Sequence, residues 1–269
     1  MMVNANGAEL NVETHGDGVP VLLLHGWPDS CALWRNQVPF LTANGFRTIT
    51  PDMRGFGQST RPAGKDSYEL RNSVADVAAI LDAAEAPAAH VVGHDWGAAV
   101  AWLTAMLLPD RVRTLTALSV PHPLAPVTLR QREMAWYTLL FQFEEIAEAT
   151  LKYEDWAAFR ELLSGYVDID RAITDLSRPG ALTASLNWFR ANRAPRMPGP
   201  PPELPPVTAP ALGIWSDGDR YLDGARMRAS GELVKGPWRY AEIPGAGHWI
   251  PLDAPEELNA LLLSWLTDP

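Results

Sequence analysis

The sequence predicts an α/β fold in which a mostly parallel sheet is covered by helices on both faces and interrupted by a helical insertion. Three observations predict it. Short apolar runs alternate with segments whose apolar residues recur every three and four positions, the pattern of strand and crossover helix. A Gly-x-Asp-x-Gly turn joins one such run to an alanine-rich helical stretch. The alternation then stops between Pro121 and about Pro206 and resumes afterwards, and a long excursion between two strands of a compact domain is usually functional.

Taken in order, Ala8 to Thr14 alternates weakly as an edge strand, Val21 to Leu24 reads as a buried strand, and Phe46 to Thr50 as another. Val74 to Leu81 has helical spacing. Ala89-His90-Val91-Val92 is the next strand, and Ala98 to Leu108 is the helix after the turn. Val112 to Val120 closes the first half as a strand. The second half adds strands at Ala211 to Trp215 and Arg239 to Ile243, and a terminal helix over Pro255 to Leu266 with proline at its start. Residues 1–120 and 207–269 therefore form one core domain, and 121–206 a helical cap. The cap is rich in aromatic residues, among them Trp136, Phe141, Phe143, Trp156, Trp188 and Phe189, most of which read as plain core. It ends in the proline cluster Pro195, Pro198, Pro200, Pro201, Pro202, Pro205 and Pro206, a stiff extended linker.

Composition bounds the function. At 269 residues with no internal repeat, the chain suits one large domain or a core with an insertion. A formal net charge of -10 disfavours nonspecific nucleic-acid binding, which depends on basic patches. The start, Met1 to Gly7, lacks the basic and apolar regions of a secretory signal, and no run approaches the roughly 18 apolar residues of a membrane span. The single cysteine, Cys31, forms no intramolecular disulfide, suits a reducing cytoplasm, and reads as a small buried hydrophobe. The expectation is a soluble cytoplasmic protein with no nucleic-acid partner. Composition leaves the oligomeric state open, a homodimer included.

The chemistry is carried by Gly93-His94-Asp95-Trp96-Gly97, a strand, sharp turn and helix with the spacing of a nucleophile elbow and an aspartate where serine usually sits. A carboxylate suits in-line displacement at a saturated carbon, leaving an alkyl ester on the protein. Attack on an ester would instead give an anhydride, so an ordinary esterase is disfavoured. Downstream in nucleophile, acid, histidine order come Asp219, after the run Ala211 to Trp215, and His248 in Gly247-His248-Trp249. Asp217 is a rival for the acid, two residues away. Upstream, Val21 to Leu24 runs into His25-Gly26-Trp27-Pro28, where Gly26 allows close backbone approach and the Trp27 and Trp96 amides face one oxyanion. His25 and His94 read as structural histidines. Asp95, Asp219 and His248 all fall beyond the carboxyl ends of strands, where ligands bind in such sheets.

These motifs, with Asp52-Met53-Arg54-Gly55-Phe56-Gly57-Gln58-Ser59, span nearly the whole chain. The chain resembles the α/β-hydrolases of the epoxide hydrolase and haloalkane dehalogenase group, and is most similar to the epoxide hydrolases. The resemblance implies an α/β-hydrolase fold with a helical cap, no cofactor and no metal, and a small apolar electrophilic substrate, an epoxide. It assigns the acid to Asp219 from its offset beyond Trp215. It also implies two cap tyrosines that protonate the leaving oxygen. Ala135-Trp136-Tyr137-Thr138 places the first at Tyr137, whereas the second is missing, because the Leu-Asn-Trp-Tyr-Arg segment reads Leu186-Asn187-Trp188-Phe189-Arg190. Asp95, Asp219, His248 and Tyr137 are thus the expected catalytic residues, and Trp136, Trp188, Phe189 and Trp249 the expected pocket.

Two other readings follow from the same residues. A haloalkane dehalogenase needs no acid and only N–H donors for its halide, which Trp96 with Trp136, Trp188 or Trp27 could supply. Against it, Trp27 stands where one branch has asparagine, Ser119 and Val120 stand where some members carry an acid, and Trp96 stands where the fluoroacetate type has arginine. The third is a binding module that has lost turnover, which the intact Asp95, Asp219 and His248 set opposes.

Overall fold

Leucine-rich and β-branched runs pair into one eight-stranded sheet in the computed structural model, which describes residues 1–193 and 203–269. In chain order the strands are β1 (Met2–Ala5), β2 (Ala8–His15), β3 (Val19–Leu24), β4 (Phe46–Pro51), β5 (Ala89–His94), β6 (Val112–Leu118), β7 (Ala211–Ser216) and β8 (Trp238–Ile243). Their spatial order is β1-β2-β4-β3-β5-β6-β7-β8. The β1–β2 and β2–β4 pairs are antiparallel, and β3 through β8 are parallel. Every residue of Val21–Leu24 is at most 1% exposed, because helices cover both faces there. Burying such a side chain stabilises the fold by about 1.5–3 kcal/mol.

The helices are α1 (Gln37–Ala43), α2 (Leu70–Ala83), α3 (Trp96–Leu107), α4 (Leu129–Met134), α5 (Tyr137–Leu140), α6 (Ile146–Leu162), α7 (Ile169–Leu176), α8 (Ala181–Asn192), α9 (Gly224–Ala229), α10 (Ile250–Asp253) and α11 (Pro255–Thr267). The strands read from sequence lie within one or two residues of those observed, and β1, α1, α9 and α10 add to the core elements. β1 is a four-residue hairpin partner whose alternation is too short to read. Between β6 and β7 the described residues form helices α4 to α8 and no strand. The prolines at 195, 198 and 200–202 lie outside the described residues.

Ion pairs set the insertion and the loop after β4 in place. The Arg54 guanidinium, 1% exposed, grips Asp76 of α2 with Nε and Nη2 at 2.7 and 2.6 Å. Asp52 accepts from the Cys31 and Gln58 amides, both at 2.8 Å. Burial opposes its charge, yet those amides hold its carboxyl below the usual range. In the insertion, Arg190 of α8 donates to both carboxylate oxygens of Glu148 at 2.8 Å and to the Phe141 carbonyl at 2.9 Å. A fork of this kind fixes two helices in register. Phe141, Trp156, Trp188 and Phe189 are buried, as a core reading requires, but Phe143 and Trp136 are exposed. Cys31 is half-buried, not buried, and burial and the neighbouring Asp52 push its thiol pKa up.

Candidate active site

Asp95 is the first residue past β5 and caps α3 with φ 51° and ψ −121°, a conformation a side-chain-bearing residue rarely adopts. Strain of this order costs about 1–3 kcal/mol and persists only where surrounding packing imposes it. The packing here is backbone on backbone. A Cβ on Gly93 would strike the Gly97 carbonyl, and one on Gly97 the Leu24 carbonyl, so only glycine lets the turn close. Gly26 is pressed against Asp95 itself, which brings the next amide onto the carboxylate. The Trp27 N–H donates to Asp95 Oδ1 at 2.8 Å, beside a cis Trp27–Pro28 bond. Burial pushes the Asp95 carboxyl pKa up. His248, the Trp27 and Trp96 amides and Arg193 act in the opposite direction.

The other oxygen of Asp95 faces an imidazole. His248 Nε2 lies 3.8 Å from Asp95 Oδ2, and its Nδ1 lies 2.8 Å from Asp219 Oδ2. With Nδ1 donating to Asp219, Nε2 is left as the basic nitrogen. Burial lowers the His248 pKa, but the charges of Asp219 and Asp95 outweigh it and the net direction is up. Asp219 has no exposed side-chain surface and accepts on Oδ1 from the Tyr221 and Leu222 amides at 2.8 and 3.0 Å. Asp217 faces solvent and accepts from the Gly245 amide at 2.7 Å, so it caps a turn and does not reach the imidazole.

Two further histidines hold this frame. His94 Nε2 lies 2.9 Å from the His248 carbonyl, and burial and the nearby His248 keep its pKa well below the ordinary value. A neutral ring in that position donates from Nε2, tethering the loop that carries His248. His25 donates from Nδ1 to the Gly26 carbonyl and accepts the Met53 amide on Nε2, both at 2.9 Å. Burial lowers its pKa as well.

A cavity of about 490 Å³ opens above Asp95 between the sheet and the insertion, walled by Trp96, Trp136, Tyr137, Phe189, Arg193 and Tyr221 among others. The Tyr137 hydroxyl makes no hydrogen bond among the described residues. Burial, Asp95 and Asp219 all push its pKa up, so it stays a protonated donor. Phe189 is 4% exposed and packs edge-on against Trp96 at 5.1 Å and Phe141 at 4.9 Å. Of the four expected pocket residues, Trp136 and Phe189 are on the wall and Trp188 and Trp249 are not. Trp188 is buried behind it with Nε1 donating to the Arg54 carbonyl at 3.0 Å. Trp249 stacks on Tyr166 at 4.3 Å.

Three residues near the cavity escaped the sequence reading. Tyr221 lies with its ring 5.1 Å from His248 and 5.9 Å from Tyr137, its hydroxyl donating to the Leu162 carbonyl at 2.8 Å. Its position two residues past Asp219 was a usable signal. Arg193 is four residues after Phe189, one helical turn on the same face. Arg226 had no local signal.

The chain's relatives agree with this architecture. Residues 19–157 match the alpha/beta hydrolase fold family. Epoxide hydrolase A of Mycobacterium tuberculosis is 32% identical over 320 residues, covering 99% of this chain and 96% of the relative. The AB hydrolase superfamily protein YfhM of Bacillus subtilis is 35% identical over 286 residues, covering 98% and 96%. The crystal structure of Epoxide Hydrolase A from Mycobacterium thermoresistibile aligns with a TM-score of 0.82 at 29% identity, over 100% of this chain and 98% of that one. That of a Bacillus megaterium epoxide hydrolase with an inhibitor aligns with a TM-score of 0.88 at 25% identity, over the full length of both.

Proposed function

The chain belongs to the α/β-hydrolase fold family and is similar to epoxide hydrolases of that family, and from that premise we propose that it opens epoxides to vicinal diols through a covalent ester on Asp95. The observation that carries the reading is the division of labour on one carboxylate: Oδ1 is held by the Trp27 amide at 2.8 Å while Oδ2 is left facing His248. Oδ2 attacks an epoxide carbon and the C–O bond breaks, with Tyr137 giving its phenolic proton to the leaving oxygen. The ester carbonyl oxygen is then Oδ1, already seated on its donor.

Water attacks the ester carbon as His248 Nε2 takes one of its protons, and the tetrahedral oxyanion forms on Oδ1 against the Trp27 and Trp96 amides. Collapse breaks the acyl C–O bond. Oδ2 leaves as a hydroxyl of the diol with the proton from His248, and the water oxygen stays in the regenerated carboxyl group, whose proton returns to Tyr137 through solvent. Alkylation also removes the negative charge of Asp95, one of the groups that raise the His248 pKa. His248 therefore becomes the free base more readily at the step that needs it.

Dehalogenation is the second reading, favoured by the buried Trp96 Nε1, which has no partner among the described residues. Two of its other donors are engaged, since Trp27 Nε1 donates to Ser185 at 3.2 Å and Trp188 Nε1 to the Arg54 carbonyl. The deciding experiment is intact-mass spectrometry of His248→Gln after exposure to a pool of neutral epoxides and haloalkanes. An adduct of the whole epoxide, absent in the doubly substituted protein that also carries Asp95→Asn, is the expected result. An adduct of an alkyl group without its halogen moves the protein to dehalogenation, and no adduct with either class overturns both.

A further inference from the structure

The cavity above Asp95 is lined by three arginines, Arg132, Arg193 and Arg226, in a protein with 32 acidic and 22 basic side chains. None of the three lies within ion-pair distance of a carboxylate among the described residues, and residues 194–202 contain neither Asp nor Glu. Charged groups in a cavity of this kind focus the field on whatever enters it.

Arg226 is a built feature, not a surface side chain. It is 6% exposed, and its Nε and Nη2 donate to the Pro126 and Ala125 carbonyls, both at 3.0 Å, which locks the guanidinium plane. Its Nη1 has no hydrogen-bond partner among the described residues. A buried guanidinium normally carries a carboxylate partner, because desolvating it alone is costly. The acid whose charge acts on it, Asp223, is committed to the Thr128 hydroxyl at 2.7 Å and the Ala225 amide at 3.1 Å. Burial, with Arg193 acting in the same direction, pushes the Arg226 pKa down to about 10. Arg193 lies 5.5 Å over the Trp96 ring, and its charge reaches both Asp95 and Tyr137. Both guanidinium groups thus line one cavity, and neither has a carboxylate partner among the described residues.

We propose that the substrate is an epoxide bearing a carboxylate, held by Arg193 and Arg226 while its oxirane lies against Asp95 and Tyr137. This deepens the reading of the previous subsection and rests on it for the chemistry. A carboxylate is the matching head group because planar oxygens meet the guanidinium fork and its single charge costs less to desolvate than a phosphate dianion. The remaining wall, with Val120, Val127, Ala135 and Leu139, suits an aliphatic body.

The test separates anion binding from catalysis. Calorimetric titration at low ionic strength compares octanoate with octanamide, two unreactive probes of equal length, on the wild-type protein, Arg193→Gln and Arg226→Lys. Octanoate is expected to bind at least about tenfold more tightly than the amide, with the margin shrinking in salt. Arg193→Gln, at a solvent-facing position, should bring the ratio near one. Octanoate should also slow adduct formation by a neutral epoxide on His248→Gln, which locates it in the same cavity. Equal affinities for the two probes on the wild-type protein, or a preference that survives both substitutions, would overturn the proposal while leaving epoxide opening intact. A carboxylate preference lost in Arg193→Gln, with no adduct on His248→Gln from any epoxide, would leave the anion site standing and remove the chemistry.

Discussion

His248 Nε2 stands 3.8 Å from Asp95 Oδ2 while its Nδ1 is bound to Asp219 at 2.8 Å. One imidazole is thereby fixed between two carboxylates, bonded to one and facing the other. The spacing to Asp95 is too long for a direct hydrogen bond, and in the proposed reaction it leaves Nε2 free to take a proton from a water reaching the ester carbon.

The water oxygen should therefore enter the protein before it enters the product. In a single turnover of excess enzyme in 18O water, the label is expected on Asp95 and not in the diol, read by mass spectrometry of the peptide containing Asp95. Label found in the diol alone would mean direct attack of water on the epoxide.

Separating the half-reactions by pH gives a second check. A protonated His248 cannot accept a proton, so ester hydrolysis should slow as pH falls through its pKa, while ester formation, which needs ionised Asp95 and protonated Tyr137 but not neutral His248, continues to lower pH. The wild-type protein should accumulate the adduct in mild acid and not above neutrality. Removing the Asp95 charge in Asp95→Asn should lower the His248 pKa, read by NMR titration of the imidazole, since one of its raising charges is gone. An unchanged or higher value would contradict the charge coupling.

Exchanging the two acids discriminates between them. Asp219→Asn loses the acceptor that sets the His248 tautomer and should reduce kcat by on the order of 10⁴-fold. Asp217→Asn, which touches only the Gly245 turn, should keep turnover within a fewfold of wild type. Steady-state kinetics on the same epoxide settle the order.

The hydroxyl count of the cavity is also adjustable. Tyr137→Phe should lower the rate of ester formation by about 10²–10³-fold, the scale of one lost transition-state donor. Phe189→Tyr adds a second hydroxyl at the cavity wall and should raise that rate. A Tyr137→Phe protein that alkylates at the wild-type rate would remove the tyrosine from the mechanism.

Away from the cavity, Arg54→Met should destabilise the protein by about 3–5 kcal/mol, because it strands the buried Asp76 carboxylate. Burial already pushes the Asp76 pKa up and Arg54 opposes it. Without Arg54 the folded carboxyl binds a proton at still higher pH, so the variant's deficit should shrink as pH falls. Denaturant unfolding at two pH values measures it. A deficit independent of pH would place the loss in packing instead.

The readable parts of this protein were those whose signal is local. Apolar runs at β3, β5 and β7 carried their own burial pattern, and Gly93 and Gly97 announced a turn too tight for side chains. Asp95 and His248 were marked by their flanking glycines. The choice of Asp219 over Asp217 needed a family pattern, because both aspartates follow the same strand end and only the folded loop separates an exposed turn cap from a carboxylate with no exposed side-chain surface. Trp188, in the helical insertion, and Trp249, in the loop after β8, were misplaced onto the cavity wall for a related reason, since an aromatic residue does not reveal in sequence which way it faces.

By itself, then, the sequence determined the alternation of strands and helices, the sharp turn and the aspartate at its tip, because periodicity and backbone sterics act over a few residues. Tertiary structure alone decided which oxygen of Asp95 is held and which is free, and that Arg193 and Arg226, 33 positions apart in the chain, share one cavity with it. Those relationships depend on distances between segments far apart in the chain, and only packing of the insertion against the sheet sets them.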